Sequence, residues 1–177
     1  MKTIRLFYLI LVVTLLLRDA RATTVIPPTF DELVEQAQII FQGTVADVRC
    51  EWAGEGTQRA IVSYVTFRVE DPIKGEPGGA TYTMRMLGGT IGNETMGIAD
   101  APTFKSGDRD IVFVENNGTQ YIPLVGIMYG RFHVQADSVA GKDIVTSDSG
   151  GPVAGVTGLG ATEFKAAIRA KLHSLTP

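Results

Sequence analysis

The chain has 177 residues, 45% of them hydrophobic, with 16 Lys+Arg against 19 Asp+Glu and a single cysteine. That length suffices for one domain with its own core. The acid excess and the lack of a basic run argue against nucleic-acid binding, which needs cations to neutralise phosphates, and one cysteine excludes an internal disulfide.

Residues 1–22 have the layout of a secretory signal peptide. Lys2 and Arg5 precede an apolar run, Leu6–Leu17, interrupted only by Thr14, and Ala20-Arg21-Ala22 supplies the small-x-small pattern of a cleavage site. The 12-residue run falls short of the roughly 20 residues that span a bilayer. The sequence therefore predicts cleavage before Thr23 and a secreted or periplasmic mature chain without a membrane span. Removing four cations and one anion with the leader leaves 155 residues, 12 basic and 18 acidic, a net charge of −6.

The mature chain opens with a short arm, Thr23–Pro28. Thr29-Phe30-Asp31-Glu32 then fits a capping box, predicting a short helix through Ala37. The period changes to two from Ile39, and Ile39–Cys50 reads as a long strand in which Gly43 marks a bend or bulge. Cys50, at its end, reads as a half-buried small hydrophobe; pairing between chains or a reactive thiol are the alternatives. Ala60–Glu70 is the clearest strand, with Ile61, Val65, Phe67 and Val69 on one face. Ala80–Leu87 is the third.

Gly88–Asp108 has five glycines in 21 residues and no clear period. A connection of that length is functional or hides a short strand, here around Thr95–Ala99. Asp110–Glu115 is a strand core, and Asn116-Asn117-Gly118 is a hairpin signal that predicts a returning strand over Thr119–Gly126. Gly130–Gln135 is a further short strand. Asp137–Gly160 reads as a mobile Gly/Ser/Asp-rich connection with a short strand at Ile144–Thr146. Thr162 is placed as the cap of a final helix, whose Phe164, Ile168 and Leu172 form an apolar stripe. The domain organisation expected is a signal peptide (1–22), a barrel with its arm and first helix (23–136), a flexible segment (137–161) and a terminal helix (162–177).

Motifs of chemistry are sparse. Ser147-Asp148-Ser149-Gly150-Gly151-Pro152 is similar to the nucleophile segment of chymotrypsin-like proteases, but that site needs a histidine and an aspartate earlier in the chain. His173 follows the serine and His133 precedes it by only 16 residues, so the segment reads as a Gly/Ser turn. Zinc and calcium spacings are absent. Asp137, Asp143 and Asp148 read as solvated loop acids and His133 as a surface or barrel-rim residue. Asn93-Glu94-Thr95 and Asn117-Gly118-Thr119 fit the N-x-T sequon, which acts only in a eukaryotic secretory pathway. No catalytic residue, metal ligand or cofactor is predicted.

The order of parts carries a resemblance. The helix precedes Ala37-Gln38-Ile39-Ile40-Phe41-Gln42-Gly43-Thr44-Val45. Val62–Val69 runs into Ile73-Lys74-Gly75, and a third strand leads to a Gly-rich loop. Gly107-Asp108-Arg109-Asp110-Ile111-Val112-Phe113-Val114 then precedes Tyr121–Val125 and Gly130-Arg131-Phe132-His133-Val134. Over Glu32–Gln135 this resembles the netrin-like, OB-type barrel of tissue inhibitors of metalloproteinases, and more closely exported bacterial proteins with the same pattern. The resemblance implies that a free N-terminus and a loop between middle strands contact a protease zinc site. Here the first mature residue is Thr23, where that family has a cysteine.

The expected fold is mainly β, a small five- to six-stranded antiparallel OB-like barrel with a short N-terminal helix and a C-terminal amphipathic helix. The expected function is a secreted, non-enzymatic, protein-binding barrel, with a zinc protease as the specific partner. Its expected contact residues are Thr23, Thr24, Val25 and Ile26 of the arm and Gly89, Thr90, Ile91, Asn93 and Met96 of the loop. The alternative is a small-ligand or glycan-binding barrel, which Trp52, Tyr64 and Tyr82 would serve if they clustered.

Overall fold

A computed structural model describes residues 27–138, 141–148 and 159–175. The cleavage site at Ala20, Ala22 and Thr23, the arm residues Thr24, Val25 and Ile26, and Ser149–Pro152 lie outside the described residues.

Helix α1 (Phe30–Gln36) starts on the expected box. Thr29 Oγ1 accepts from Glu32 N at 3.2 Å and Thr29 N donates to Glu32 Oε2 at 2.7 Å. Its other end is held by a distant strand residue, since Lys74 Nζ donates to the carbonyls of Val34 and Glu35 at 2.7 and 3.1 Å.

Six antiparallel strands follow in one sheet: β1 (Ile39–Ala53), β2 (Ala60–Lys74), β3 (Thr81–Leu87), β6 (Arg109–Val114), β7 (Arg131–Asp137) and β8 (Lys142–Ser147). Their spatial order is β3-β2-β1-β6-β7-β8. β4 (Gly89–Ile91) and β5 (Glu94–Met96) pair as a separate two-stranded sheet, and helix α2 (Ala161–Leu175) follows β8. The mainly β architecture with a short helix near each end is the one the sequence predicts. Gly43 sits at a register shift between β1 and β2, where an added Cβ would lie 2.7 Å from Arg68 O.

Three expectations need correction. Thr119–Gly126 does not return as a strand. Pro123 has no N–H for a ladder, and Asn116 O takes the N–H groups of both Thr119 and Gln120. The segment instead crosses from β6 to β3, with Leu124 bridged to Val114 and Leu87 N donating to Tyr121 O at 2.7 Å. Asn117 serves β3 as a side chain: its Oδ1 accepts from Arg85 N, and its Nδ2 donates to Thr83 O and the Tyr82 hydroxyl. This covers the free edge of β3 and gives the curled sheet a barrel-like closure. Second, the short strand expected at Ile144–Thr146 within the Asp137–Gly160 connection is the full strand β8, paired with β7 along its length. Third, Thr162 lies inside α2, which begins one residue earlier.

The apolar run in β6 is buried on both faces. Ile111 and Phe113 pack with α1 and α2 around Leu33, Phe132, Phe164 and Ile168. Val112 and Val114 pack inside the curl with Phe41, Val65, Phe67, Met84 and Phe104. Two cores on opposite sides of one strand leave β6 and its neighbours as a fixed frame for the segments described next.

Candidate functional site

The Gly88–Met96 segment, read as a loop or a hidden strand, is a β-hairpin. Gly89, Thr90 and Ile91 pair with Met96, Thr95 and Glu94, and Gly92-Asn93 forms the two-residue turn. Gly92 takes φ 59° as the first turn residue, the position where such a hairpin turn favours glycine. Thr90 and Thr95 join through their hydroxyls at 3.0 Å. Thr90, Asn93 and Met96 are exposed, and Gly89 and Ile91 half-buried.

The base of the hairpin is pressed against the sheet. Gly88 N donates to Ile61 O at 2.8 Å, and Ser63 Oγ donates to Gly88 O at 2.5 Å. Cys50 Sγ lies 3.3 Å from Ser63 Oγ. A Cβ on Gly89 would sit 2.5 Å from Ser63 Oγ and 2.7 Å from Cys50 Sγ, and its φ of 138° is one that L side chains rarely adopt. Only glycine allows this approach. Cys50 is accordingly a half-buried thiol facing Ser63 and the hairpin backbone.

Between the hairpin, the sheet and residues 97–104 lies a cleft of about 310 Å³, lined by Val48, Val65, Met86, Met96, Ile98 and Phe104 with Cys50 and Ser63 among them. Ala101, Pro102 and Thr103 separate it from a second hollow of about 300 Å³, lined also by Asp100, Met128 and Asp148.

A polar cluster behind the hollow fixes this wall. Arg131 is 1% exposed. Its Nη1 donates to Thr103 O at 2.6 Å and to Asp148 Oδ2 at 3.3 Å, and its Nη2 to Asp108 and Asp110 at 2.7 and 3.0 Å. The guanidinium carbon stands 3.9 Å from the ring centre of Phe104, a cation–π contact. His133, register partner of Asp110 across β6 and β7, has Nδ1 2.8 Å from Asp110 Oδ1 and Nε2 2.9 Å from Asp148 Oδ1. The Asp110 contact is at ion-pair distance without good hydrogen-bond alignment. A neutral imidazole has one N–H, so only the imidazolium offers a proton to both carboxylates. Interaction with Asp110 is the largest cause raising the His133 pKa above its ordinary value; burial and Arg131 oppose it, and Asp148 adds to it.

Sequence reading missed this cluster. Asp148, an exposed turn residue, is also a partner of Arg131 and His133, and Asp143, within β8, pairs with Arg109 at 2.9 Å, which holds its carboxyl below the usual range. The available signal was Asp110 inside the apolar strand β6 and the alternation Arg131-Phe132-His133-Val134 in β7. The aromatic residues weighed for a glycan platform do not cluster. Trp52 is covered by Arg59 at 4.0 Å and Tyr64 by Arg49 at 5.3 Å, while Tyr82 packs on Phe41 at 5.3 Å. Neighbouring registers place Arg49 and Tyr64 on the opposite sheet face from Cys50 and Ser63. Of the two sequons, Asn93 is exposed at the hairpin turn, whereas the Asn117 amide is engaged with β3. Among the described residues no group of His, Cys, Asp or Glu has the arrangement of a metal site, and no helix is long and apolar enough to cross a membrane.

Pro28 packs on the turn at Gly126, near Tyr129, and Met128 of that turn lines the acidic hollow. Proximity and shared lining residues thus link Pro28, the turn at Gly126–Met128, the hollow, the cleft and the hairpin as one strip. Comparison with protein-family models, curated proteins and solved structures finds no match for this chain.

Proposed function

We propose that this protein is an exported, non-enzymatic module that binds another protein through the strip just described. The observation that supports the reading is the hairpin itself, an exposed two-stranded element that borders a recess. The hairpin of Gly89–Met96 borders the cleft at one end of the strip, and Pro28, five positions after Thr23 in the sequence, lies at the other. A protruding hairpin held by a glycine base on a rigid sheet is a preorganised contact element, which lowers the ordering cost of binding.

The specific version is inhibition of a zinc protease, with the amine and carbonyl of Thr23 offered to the metal. Titrating the purified chain beginning at Thr23 against co-exported zinc proteases tests it. A stoichiometric fall in rate supports the inhibitor version, and unchanged rates for all of them remove it. A small-ligand barrel is the second reading, and the apolar cleft is the observation in its favour. The dispersed positions of Trp52, Tyr64 and Tyr82 give a glycan no stacking surface.

A further inference from the structure

The two recesses share a wall and differ in chemistry. Ala101, Pro102 and Thr103 line both. No charged residue lines the cleft, whereas the hollow has two carboxylates, Asp100 and Asp148, and no cation among its lining residues. Asp148 already faces Arg131 and His133. Asp100 makes no ion pair among the described residues, and its backbone holds φ 62°.

Three contacts hold the wall. Ala101 N donates to Ile98 O at 3.2 Å, Thr103 O accepts from the buried Arg131, and Phe104 lies under that guanidinium. A ridge with an apolar recess on one side and an acidic one on the other offers separate places to an apolar and a basic side chain of one extended segment. In such a segment residues i and i+2 point the same way, about 6.6–6.8 Å apart.

Resting on the protein-binding reading above, we infer that the two recesses take an extended segment of the partner protein. A bulky apolar side chain fills the cleft, and a lysine or arginine two positions away enters the hollow beside Asp100. Charge complementarity favours this occupant over a second copy of the chain, because the chain after Ala22 carries 18 acidic and 12 basic residues and copies repel over the distance that salt leaves unscreened.

The test uses the purified chain from Thr23 onward and fluorescein-labelled Gly/Ser-flanked peptides containing Leu-Ala-Arg, Leu-Ala-Glu or Ser-Ala-Arg. The inference expects the first to bind at least about tenfold more tightly than either of the others, with amide shifts at Gly89, Thr95, Asp100 and Thr103. Asp100→Asn keeps a residue type that tolerates positive φ; it is expected to cut the Arg-over-Glu preference to about twofold and leave the Leu-over-Ser preference intact. Met96→Glu, at the exposed rim of the cleft, is expected to weaken every Leu peptide. Equal binding of the three peptides, binding of none, or shifts confined to other faces overturns the inference. Binding of a fluorescent apolar probe in the cleft with no peptide binding also overturns it, in favour of the small-ligand reading. Partner crosslinking at the hairpin would still be observed in these cases if the protein-binding reading alone is right.

Discussion

His133 and Asp110 face each other across the β6–β7 ladder, 2.8 Å apart, and Asp148 reaches the other ring nitrogen at 2.9 Å. One protonated ring thereby ties two strands to the end of β8. Because the folded pKa of His133 is raised above 6.5, its contribution to stability is fully present below the unfolded value. It is lost as pH rises through the folded value. His133 is expected to titrate above 6.5 by NMR, and His133→Gln should lose about 1–2 kcal/mol in acid-side urea unfolding and flatten the fall in stability towards alkaline pH. A His133 titration at or below its ordinary value would contradict the imidazolium assignment.

Arg131 is the anchor of the same cluster, with its charge 1% exposed among three aspartates. Removing one partner of a buried charge group costs about 3–5 kcal/mol. Arg131→Met is expected to fall in that range by chemical denaturation and to speed amide exchange at Thr103 and Phe104, whose wall it holds.

Gly89→Ala should cost about 1–3 kcal/mol, because its Cβ meets Cys50 Sγ and Ser63 Oγ in a backbone conformation unfavourable to alanine. Gly92→Ala meets nothing within 4 Å and bears only its positive φ, so a cost of about 1 kcal/mol is expected. Urea melts of the two variants measure the difference.

Cys50 should stay unpaired. Its sulfur faces Ser63 and the hairpin backbone, so a non-reducing gel is expected to show no disulfide-linked dimer. Thiol labelling should quicken in Gly89→Ala if the hairpin is displaced.

Asn117 acts as a latch on β3. Asn117→Ala removes three hydrogen bonds and is expected to cost about 1–3 kcal/mol, with faster exchange at the Arg85 amide.

What could be read in the sequence was what neighbouring residues decide. The Thr29–Glu32 box, the Gly43 irregularity and the apolar core of β6 are local signals, and all three appear in the structure. What was missed depends on distance along the chain. The returning strand failed because Asn117 binds an edge 32 residues away at Arg85, turning a hairpin signal into a crossing. The polar cluster joins Asp110, Arg131 and Asp148, at sequence separations of 21 and 17, so no spacing motif could announce it. The hairpin escaped because strands of three residues are too short to show a period.

The central claim is that the hairpin end of the strip contacts a partner protein. A photo-crosslinking residue placed at Asn93, at the hairpin turn, and in a second variant at His173 on α2 tests it in the secreted fraction. A discrete protein adduct is expected from Asn93, absent from His173 and lost on adding excess unlabelled chain. An adduct from His173 alone, or none from either position, would contradict it.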